Sequence, residues 1–307
     1  MIVDARVVLA QNRESQLTWL DRKGSVAEKV GAPGQPVSVS LSPDEKQVAI
    51  SRSDSLSPSA ADIWLLDLAR NIETRFTTGQ TARFAADYGA VWSPDGKQLA
   101  YTSGNGVYVK DAGGATEAKL IKDVGTAIVT DWTSDGRFLI LTRIGANGDV
   151  IVLPMEGGGD ATPVVATPAN EGNGRVSPDG HWIAYSSQQS GRTEVYVRPF
   201  AVPGAPPAPA GPVIQISRDG GTAPRSRADG KELFFRSPPG VIMSVDIEVS
   251  STTFRPAAPA PTELNVLGNN LWAASKSGQR FLMGTSLDHG VQTPITVVTN
   301  WEATLKR

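Results

Sequence analysis

The 307-residue sequence contains no cysteine and only two histidines, His181 and His289. Without cysteine there is no disulfide, no thiolate metal ligand and no cysteine nucleophile. Positive charge is not in excess either, because 29 Lys and Arg stand against 31 Asp and Glu, a formal net charge of −2. Such a chain lacks the basic field that attracts a phosphate backbone, so we expect no nucleic-acid partner.

Long apolar runs are also missing. No stretch approaches the roughly 20 apolar residues needed to cross a bilayer, and the start, MIVDARVVLAQ, carries Asp4 and Arg6 inside its apolar part, unlike a signal peptide. No segment of a dozen residues shows a capped 3.6-residue apolar stripe, which predicts almost no helix. We therefore expect a soluble chain, built from strands, that does not insert into a membrane.

What the sequence does contain is a repeat. A turn of the type Ser-Pro-Asp-Gly, followed by an apolar strand, recurs every 40 to 51 residues. In such a turn Pro fixes φ, the Asp side chain accepts hydrogen bonds from following N–H groups, and Gly adopts a positive φ without steric cost. The spacing is the length of one four-stranded propeller blade. The Asp position holds Asp44, Asp95, Asp135, Asp179, Asp229 and Ser277.

A second strand rich in Val, Ile, Tyr and Trp follows each turn, which is typical of sheets that are packed on both faces. These strands are predicted at 62–68, 106–112, 149–155, 194–200, 241–247 and 294–301. The pattern predicts an all-β, six-bladed β-propeller. Seven blades are the alternative, because residues 4–10 resemble a degraded seventh copy.

We expect the ring to close with strands from both ends of the chain. The C-terminal part supplies three strands, near 271–274, 280–284 and 294–301, and the strand at 25–30 adds the fourth. Residues 25–307 then form the propeller. Residues 1–24 hold N-terminal strands that lie beside the closure or belong to a missing neighbouring domain. Irregular loops are expected at 53–62, 198–213 and 255–263, which are rich in Ser, Pro or Ala.

At this level of detail the sequence resembles a known family. It is similar to the TolB-like propeller at the C-terminal end of membrane-spanning bacterial serine/threonine kinases, found especially in acidobacteria. The residues that carry the resemblance are LTWLDRKG (17–24), DIWLLDLAR (62–70), TRFTTG (74–79), VWSPDGKQ (91–98), VSPDGHWIAYSSQQSGRTEVYVRPF (176–200), ISRDGGTAPRSRADGKELFFRSP (216–238) and RFLM followed by PITVVTNWEATLKR (280–307).

The resemblance implies more than a fold. In that family a cytoplasmic kinase domain and a membrane helix precede the propeller, which senses or binds a ligand on the periplasmic or extracytoplasmic side. Three positions depart from the family pattern: Glu45 replaces a turn Gly, Ser277 replaces a turn Asp, and Ser226 stands where the family usually has Trp. They weaken individual turns and one packing position without changing the fold prediction.

Enzymatic motifs are incomplete in this chain. GNGVYVK (104–110) has Val109 where a phosphate-covering loop needs a third Gly, and no HRD or DFG follows. The serine nucleophile elbow G-x-S-x-G is absent too. His181 occupies a turn position and His289 lies between two strands of the last blade, so we expect them at opposite ends. The chain is therefore predicted to be no enzyme, with any kinase activity in an absent N-terminal domain.

Carboxylates recur at the start of the third strand in three of the repeats, as Asp62, Asp149 and Glu194. Oxygen ligands of this kind suit Ca²⁺, but a residue that recurs with a repeat usually serves the repeat. We interpret them as hydrogen-bonding partners of neighbouring loops and predict no metal and no cofactor. A propeller hydrolase or lyase with a central metal or carboxylate site stays open as an alternative, as does a TolB-like periplasmic scaffold.

The candidate binding residues lie in loops. In a propeller, the loops entering the innermost strands and those joining the second and third strands gather at one end of the central channel. The entering loops 80–91, 170–176 and 219–227 offer guanidinium, carboxylate and aromatic groups that could bind a protein, peptide or glycan. These groups belong to Arg83, Asp87, Tyr88, Glu171, Asn173, Arg175 and Arg225. The function predicted is a non-catalytic ligand-binding or sensor module.

Overall fold

All regular structure is β-strand in the residues that the structure describes, which are 14–54, 57–77, 89–114, 116–201, 211–267 and 271–287 of a computed structural model. No helix long and apolar enough to cross a membrane occurs in these ranges. The strands form six antiparallel sheets arranged as the blades of a propeller. The prediction of an all-β, six-bladed propeller is confirmed.

The strands follow one another blade by blade along the chain. The first two are β1 (Ser15–Asp21) and β2 (Val26–Gly34), which belong to the closing blade 6. Blade 1 contains β3 (Pro36–Leu41), β4 (Gln47–Asp54), β5 (Ser57–Asp67) and β6 (Ile72–Arg75). Blade 2 contains β7 (Ala90–Trp92), β8 (Gln98–Ser103), β9 (Gly106–Asp111) and β10 (Lys119–Asp123). Blade 3 contains β11 (Ala127–Trp132), β12 (Phe138–Arg143), β13 (Val150–Pro154) and β14 (Thr162–Val165).

Blades 4 to 6 complete the ring. Blade 4 contains β15 (Glu171–Val176), β16 (Trp182–Ser187), β17 (Glu194–Pro199) and β18 (Ile214–Gln215). Blade 5 contains β19 (Thr222–Ser226), β20 (Glu232–Arg236), β21 (Val241–Val249), β22 (Phe254–Pro256) and β23 (Ala260–Asn265). Blade 6 adds β24 (Trp272–Ala274) and β25 (Arg280–Ser286) to β1 and β2. The first strands of the blades, β3, β7, β11, β15, β19 and β24, are innermost and surround the central channel. Neighbouring blades cover both faces of a blade. In β12, for example, the consecutive residues Leu139, Ile140 and Leu141 point to alternate faces, and all three are fully buried.

The repeated turns have the mechanism expected from the sequence. In each of five turns the Asp Oδ1 accepts a hydrogen bond from the N–H two residues later, at 3.0–3.1 Å. Four of the turns place Gly at a φ of 72° to 76°. In the first turn Glu45 takes the Gly position with a φ of 60°, and its carboxylate accepts a hydrogen bond from the Lys276 N–H of the last turn. The departure at Glu45 therefore supplies a contact between blades 1 and 6.

The ring closes differently from the expectation. β1 pairs with β25 from Ser15↔Ser286 to Asp21↔Arg280, and β2 pairs with β1, so the chain start supplies two strands of blade 6. β1 takes the third-strand place that was assigned to residues 294–301, which lie outside the described residues. The boundary at residue 25 is thus corrected, because the described propeller begins at Ser15. Residues 1–13, which include the candidate seventh repeat, are also outside the described part.

Two segments expected to be irregular are extended instead. β4 and β5 form a long hairpin whose strands reach Asp54 and Ser57, inside the expected loop 53–62. The segment 255–263 divides between β22 and β23, which pair with opposite halves of β21. Polar and Pro-rich composition obscured these strands. β22 and β23 are edge strands, where missing N–H donors do not interrupt an inner ladder, whereas β4 and β5 are the inner strands of their sheet. Most of the third segment, 202–210, lies outside the described residues.

Candidate functional site

A cavity of about 260 Å³ lies at one end of the channel. Residues from β3, β7, β11, β15 and β19 line it, so five of the six innermost strands contribute. Both expected kinds of loop border it. Gly89 and Asn170 belong to loops that enter innermost strands, and Ile144 and Gln188 belong to loops that join second and third strands. The cavity is therefore shared by most of the ring.

Three guanidinium groups line this cavity, and two of them have carboxylate partners. Arg143 lies 3.3 Å from Asp149, and Arg175 lies 3.6 Å from Asp131. Arg225 forms no ion pair and donates no hydrogen bond to any described residue, and its Nε is buried without a partner. The cavity thus contains one guanidinium that has no ion-pair partner among the described residues, although Asp131 attracts it from a longer distance.

Arg225 is held by its stacking on an aromatic ring. Its guanidinium carbon lies 4.7 Å from the centroid of the Trp272 ring, and Trp272 is fully buried in blade 6. A guanidinium over an aromatic face gains cation–π attraction while its N–H donors remain free at the edge of the plane. The stacking therefore fixes the group without using its hydrogen-bonding capacity.

A break in the regular strand pairing precedes Arg175 in β15 and Arg225 in β19. The β15–β16 register shifts between Gly172 and Arg175, and the β19–β20 register shifts between Thr222 and Arg225. Each irregularity contains a residue in the left-handed region, Asn173 with φ 54° and Ala223 with φ 52°. A β-bulge re-aims the following side chains, and a left-handed Ala costs about 1–2 kcal/mol. Strained backbone therefore sets the positions of these two arginines.

The sequence of β19 favours its irregularity. Pro224 lacks an N–H and cannot take part in a regular ladder as a donor. In β15, position 174 has room only for glycine, because an added Cβ would lie 2.5 Å from Val150 Cγ1 of blade 3. The Gly174 carbonyl instead accepts a 2.8 Å hydrogen bond from Thr130 Oγ1 of β11. Adjacent blades are locked together beside the cavity.

Burial shifts the pKa values of the charged groups Asp131 and Arg225 beside the cavity. Burial raises the pKa of Asp131, and the Arg175 charge opposes that shift. Burial, followed by repulsion from Arg175, holds the pKa of Arg225 well below its ordinary value. Attraction to Asp131 opposes this shift in part. Because a guanidinium stays charged at neutral pH, the shift expresses the unfavourable free energy of burying a charge without an ion-pair partner among the described residues.

The predicted site residues fall into three groups. Arg83, Asp87 and Tyr88 lie outside the described residues. Glu171 is buried, and its carboxylate accepts hydrogen bonds from Ser187 Oγ at 3.1 Å and from Thr167, so it is engaged within blade 4.

The remaining three predicted residues come together at the cavity. Asn173 bridges blades 4 and 5 with its Nδ2, which lies 3.3 Å from Thr222 Oγ1. Arg175 and Arg225 line the cavity beside it, but from strands rather than from the loops that the sequence suggested.

Sequence reasoning missed Asp131, although a signal was present. Asp131, Arg175 and Arg225 each stand two positions before the first residue of a repeated turn, on three consecutive blades. The other blades have uncharged residues at that position, namely Ser40, Val91 and Ala273. Charge at an equivalent innermost position of neighbouring blades marks the channel.

The recurring carboxylates have the structural role that was expected. Glu194 is buried and accepts two 3.1 Å hydrogen bonds from Gly220 N–H, in the loop before β19. Asp62 accepts a 3.0 Å hydrogen bond from Thr77 Oγ1, beyond β6. The interpretation that these residues bind neighbouring loops is confirmed for both. Among the described residues no three His, Asp or Glu side chains cluster in a way that could hold a metal ion.

Comparison with known proteins agrees with this architecture. Residues 11–199 match the sequence profile of the TolB beta propeller domain. A solved structure assigned as TolB from Agrobacterium tumefaciens is 17% identical, with 89% of this chain and 98% of that one covered and a TM-score of 0.66. At such identity the likeness shows the fold alone.

Two enzymes have similar folds. A protein assigned as 6-phosphogluconolactonase from Bacteroides uniformis is 14% identical over 90% of this chain and 96% of its own, with a TM-score of 0.52. An oligogalacturonate lyase in complex with manganese is 12% identical over 90% of this chain and 97% of its own, with a TM-score of 0.50. A protein assigned as TolB and two enzymes thus share this architecture, so the fold does not decide the function and the site must.

Proposed function

The chain belongs to the TolB beta propeller domain family, and we propose that it is a non-catalytic module that binds a protein or peptide ligand at the channel cavity. The observation that carries the proposal is the composition of the cavity rim. The rim combines guanidinium groups and small hydroxyl side chains with the apolar Ile144, whose exposed fraction is 46%. Mixed polarity of this kind, presented by a rigid ring, suits recognition through many modest contacts.

An enzyme would need a different arrangement. A propeller hydrolase or lyase requires carboxylates that converge on one point with free oxygens. The carboxylates near this cavity are instead engaged one by one: Asp131 with Arg175, Asp149 with Arg143, and Glu171 with Thr167 and Ser187. The geometry of the described residues favours binding over catalysis.

A matched pair of isoleucine variants tests the binding site. Peptides are selected from a random display library on the purified chain, and their affinities are measured for wild type, Ile144→Glu and Ile72→Glu. Both isoleucines are exposed, but Ile72 lies on the outer edge strand of blade 1. We expect Ile144→Glu to weaken binding about tenfold or more, as loss of a central apolar contact does, and Ile72→Glu to leave it unchanged.

Equal losses in the two variants would contradict a ligand site at the channel, and so would selected peptides that bind both variants like wild type. Failure to select any peptide from a diverse library would count against the module as a peptide-binding protein.

We propose further that the module is the extracytoplasmic C-terminal part of a transmembrane serine/threonine kinase. The support is the sequence resemblance across residues 17–24, 62–70, 74–79, 91–98, 176–200, 216–238 and 280–307. Ligand binding would then bias the kinase through the N-terminal connection, a coupling between distinct sites. The native gene tests this directly, since it must encode a kinase domain and a membrane segment upstream. A gene that instead encodes a signal peptide directly before the propeller would favour a periplasmic scaffold.

A further inference from the structure

The channel cavity has an incomplete set of charge pairs. Three guanidinium groups line it, and the described residues supply carboxylate partners for two, Arg143 and Arg175. Glu171 carries the one carboxylate among the described lining residues. That carboxylate accepts hydrogen bonds from Thr167 and Ser187 and is not available to Arg225. One further carboxylate would give every guanidinium a partner.

Arg225 is prepared for such a partner. Its guanidinium carbon lies 4.7 Å from the Trp272 ring centroid, so contact with the ring restricts the motion of the guanidinium before any ligand arrives. Its Nε is buried without a hydrogen-bond partner among the described residues. A guanidinium binds a carboxylate through two parallel N–H···O bonds, a geometry that a fixed plane favours because less side-chain entropy is lost on binding.

Resting on the proposed binding function, we propose that Arg225, stacked on Trp272 and supported by Arg175 and Asn173, binds the carboxylate of a monoanionic ligand in the channel cavity. A monoanion completes the charge pairing, whereas a phosphate dianion would leave excess negative charge in a half-buried site. A cavity of about 260 Å³ corresponds to roughly nine water volumes. The ligand part that enters is therefore small, either a free carboxylic acid or the C-terminal residue of a peptide.

The test compares an acid with its neutral isostere. The purified chain is titrated calorimetrically with N-acetylalanine, with N-acetylalanine amide and with inorganic phosphate. We expect the acid to bind at least about tenfold more tightly than the amide, because a charge-assisted hydrogen bond is lost in the amide, and more tightly than phosphate. Equal binding of acid and amide, tighter binding of phosphate, or no binding of the acid would overturn the proposal.

Two arginine variants localise the site. Arg225→Gln should abolish the preference for the acid over the amide. Arg255→Gln is the matched control, since Arg255 lies on β22 and faces Glu248 at 3.4 Å, away from the channel. Arg225→Lys, which keeps the charge but loses the planar fork, should retain only part of the preference. If Arg225→Gln still binds the acid more tightly than the amide, the assignment to Arg225 is overturned. If that variant does not fold, the comparison of acid and amide on the wild-type chain still decides the proposal.

A further arm distinguishes the source of the carboxylate. A hexapeptide ending in alanine is compared in its free-acid and amidated forms. Tighter binding of the free-acid peptide than of N-acetylalanine identifies a peptide C-terminus, and the reverse order identifies a small free acid. Both orders keep the carboxylate site. The selected peptides could also lose affinity for Ile144→Glu but bind Arg225→Gln as tightly as wild type. That result would exclude a carboxylate site at Arg225 and leave the proposed binding function intact.

Discussion

At the scale of single residues, the repeated turns show how a short motif fixes local structure. The Asp side chain closes the turn by accepting hydrogen bonds both from the following backbone and from the first turn residue, as Asp95 does from Ser93 Oγ at 2.6 Å. In blade 5 the first residue is Arg227, and it binds Asp229 through two bonds of 2.7 and 2.9 Å. A guanidinium thus replaces a hydroxyl in the same role.

That replacement predicts a pH dependence. Hydrogen bonds from Arg227 lower the pKa of Asp229 to about 2 in the folded chain, against an unfolded value of about 3.9. The carboxylate therefore stabilises the fold above about pH 4, and this contribution is lost as the pH falls towards 2. We expect the difference in unfolding free energy between wild type and Asp229→Asn to be constant near neutrality and to vanish near pH 2. Because Asp229 is about half exposed, the difference should be below about 1 kcal/mol.

Carboxyl NMR provides a second measurement of the same prediction. The Asp229 side-chain resonance should titrate near pH 2 in wild type and closer to its ordinary range in Arg227→Lys, because Lys cannot form the two parallel bonds. A wild-type midpoint near 4 would contradict the hydrogen bonding described for this turn.

At the scale of elements, the closing blade joins the two ends of the described chain. β24 and β25 provide its inner strands and β1 and β2 its outer ones. Arg22, in the β1–β2 turn, forms a 2.6 Å ion pair with the buried Glu232 of blade 5 and donates a 2.7 Å hydrogen bond to the Gly278 carbonyl. The N-terminal hairpin is therefore tied to blade 5 and to the β24–β25 turn of its own blade.

A leucine in β1 tests the contribution of this closure to stability. Leu17 is buried with 2% of its surface exposed and packs in a core shared by blades 5, 6 and 1. We expect Leu17→Ala to reduce the free energy of unfolding in urea by about 2–5 kcal/mol, the usual result of a buried Leu→Ala change. Leu120→Ala, on the edge strand β10 with 51% exposure, is the control and should change it by less than about 0.5 kcal/mol. Similar values for the two variants would show that β1 does not close the ring.

At the scale of the whole molecule, the repeat was the part that the sequence could predict. Turn chemistry and strand composition are local properties, so blade number, strand type and the role of Asp62 and Glu194 followed from them. The pairing partner of a strand is not local. Residues 16–20 (QLTWL) and 294–301 (PITVVTNW) both have the composition of a strand, and composition alone cannot decide which of them pairs with β25. The same limit hid the ends of β4 and β5 in 53–62 and the edge strands β22 and β23 in 255–263.

The channel was predictable only in part, for a related reason. Arg175 and Arg225 were found because they lie in segments predicted to enter innermost strands. Their direction depends on irregular register at Asn173 and Ala223, which no pattern of residue types reveals. Asp131 was missed because a single acidic residue in an apolar strand has no periodic partner within its own blade. Its partner lies on the next blade, at the equivalent position of the repeat.

A crystal structure of the chain grown with N-acetylalanine tests the central claim most directly. We predict a six-bladed ring in which the ligand carboxylate occupies the channel cavity, with its oxygens about 2.7–2.9 Å from the guanidinium nitrogens of Arg225 and the guanidinium stacked on Trp272. A ligand bound elsewhere, or an Arg225 already paired with a carboxylate of the chain itself, would contradict it.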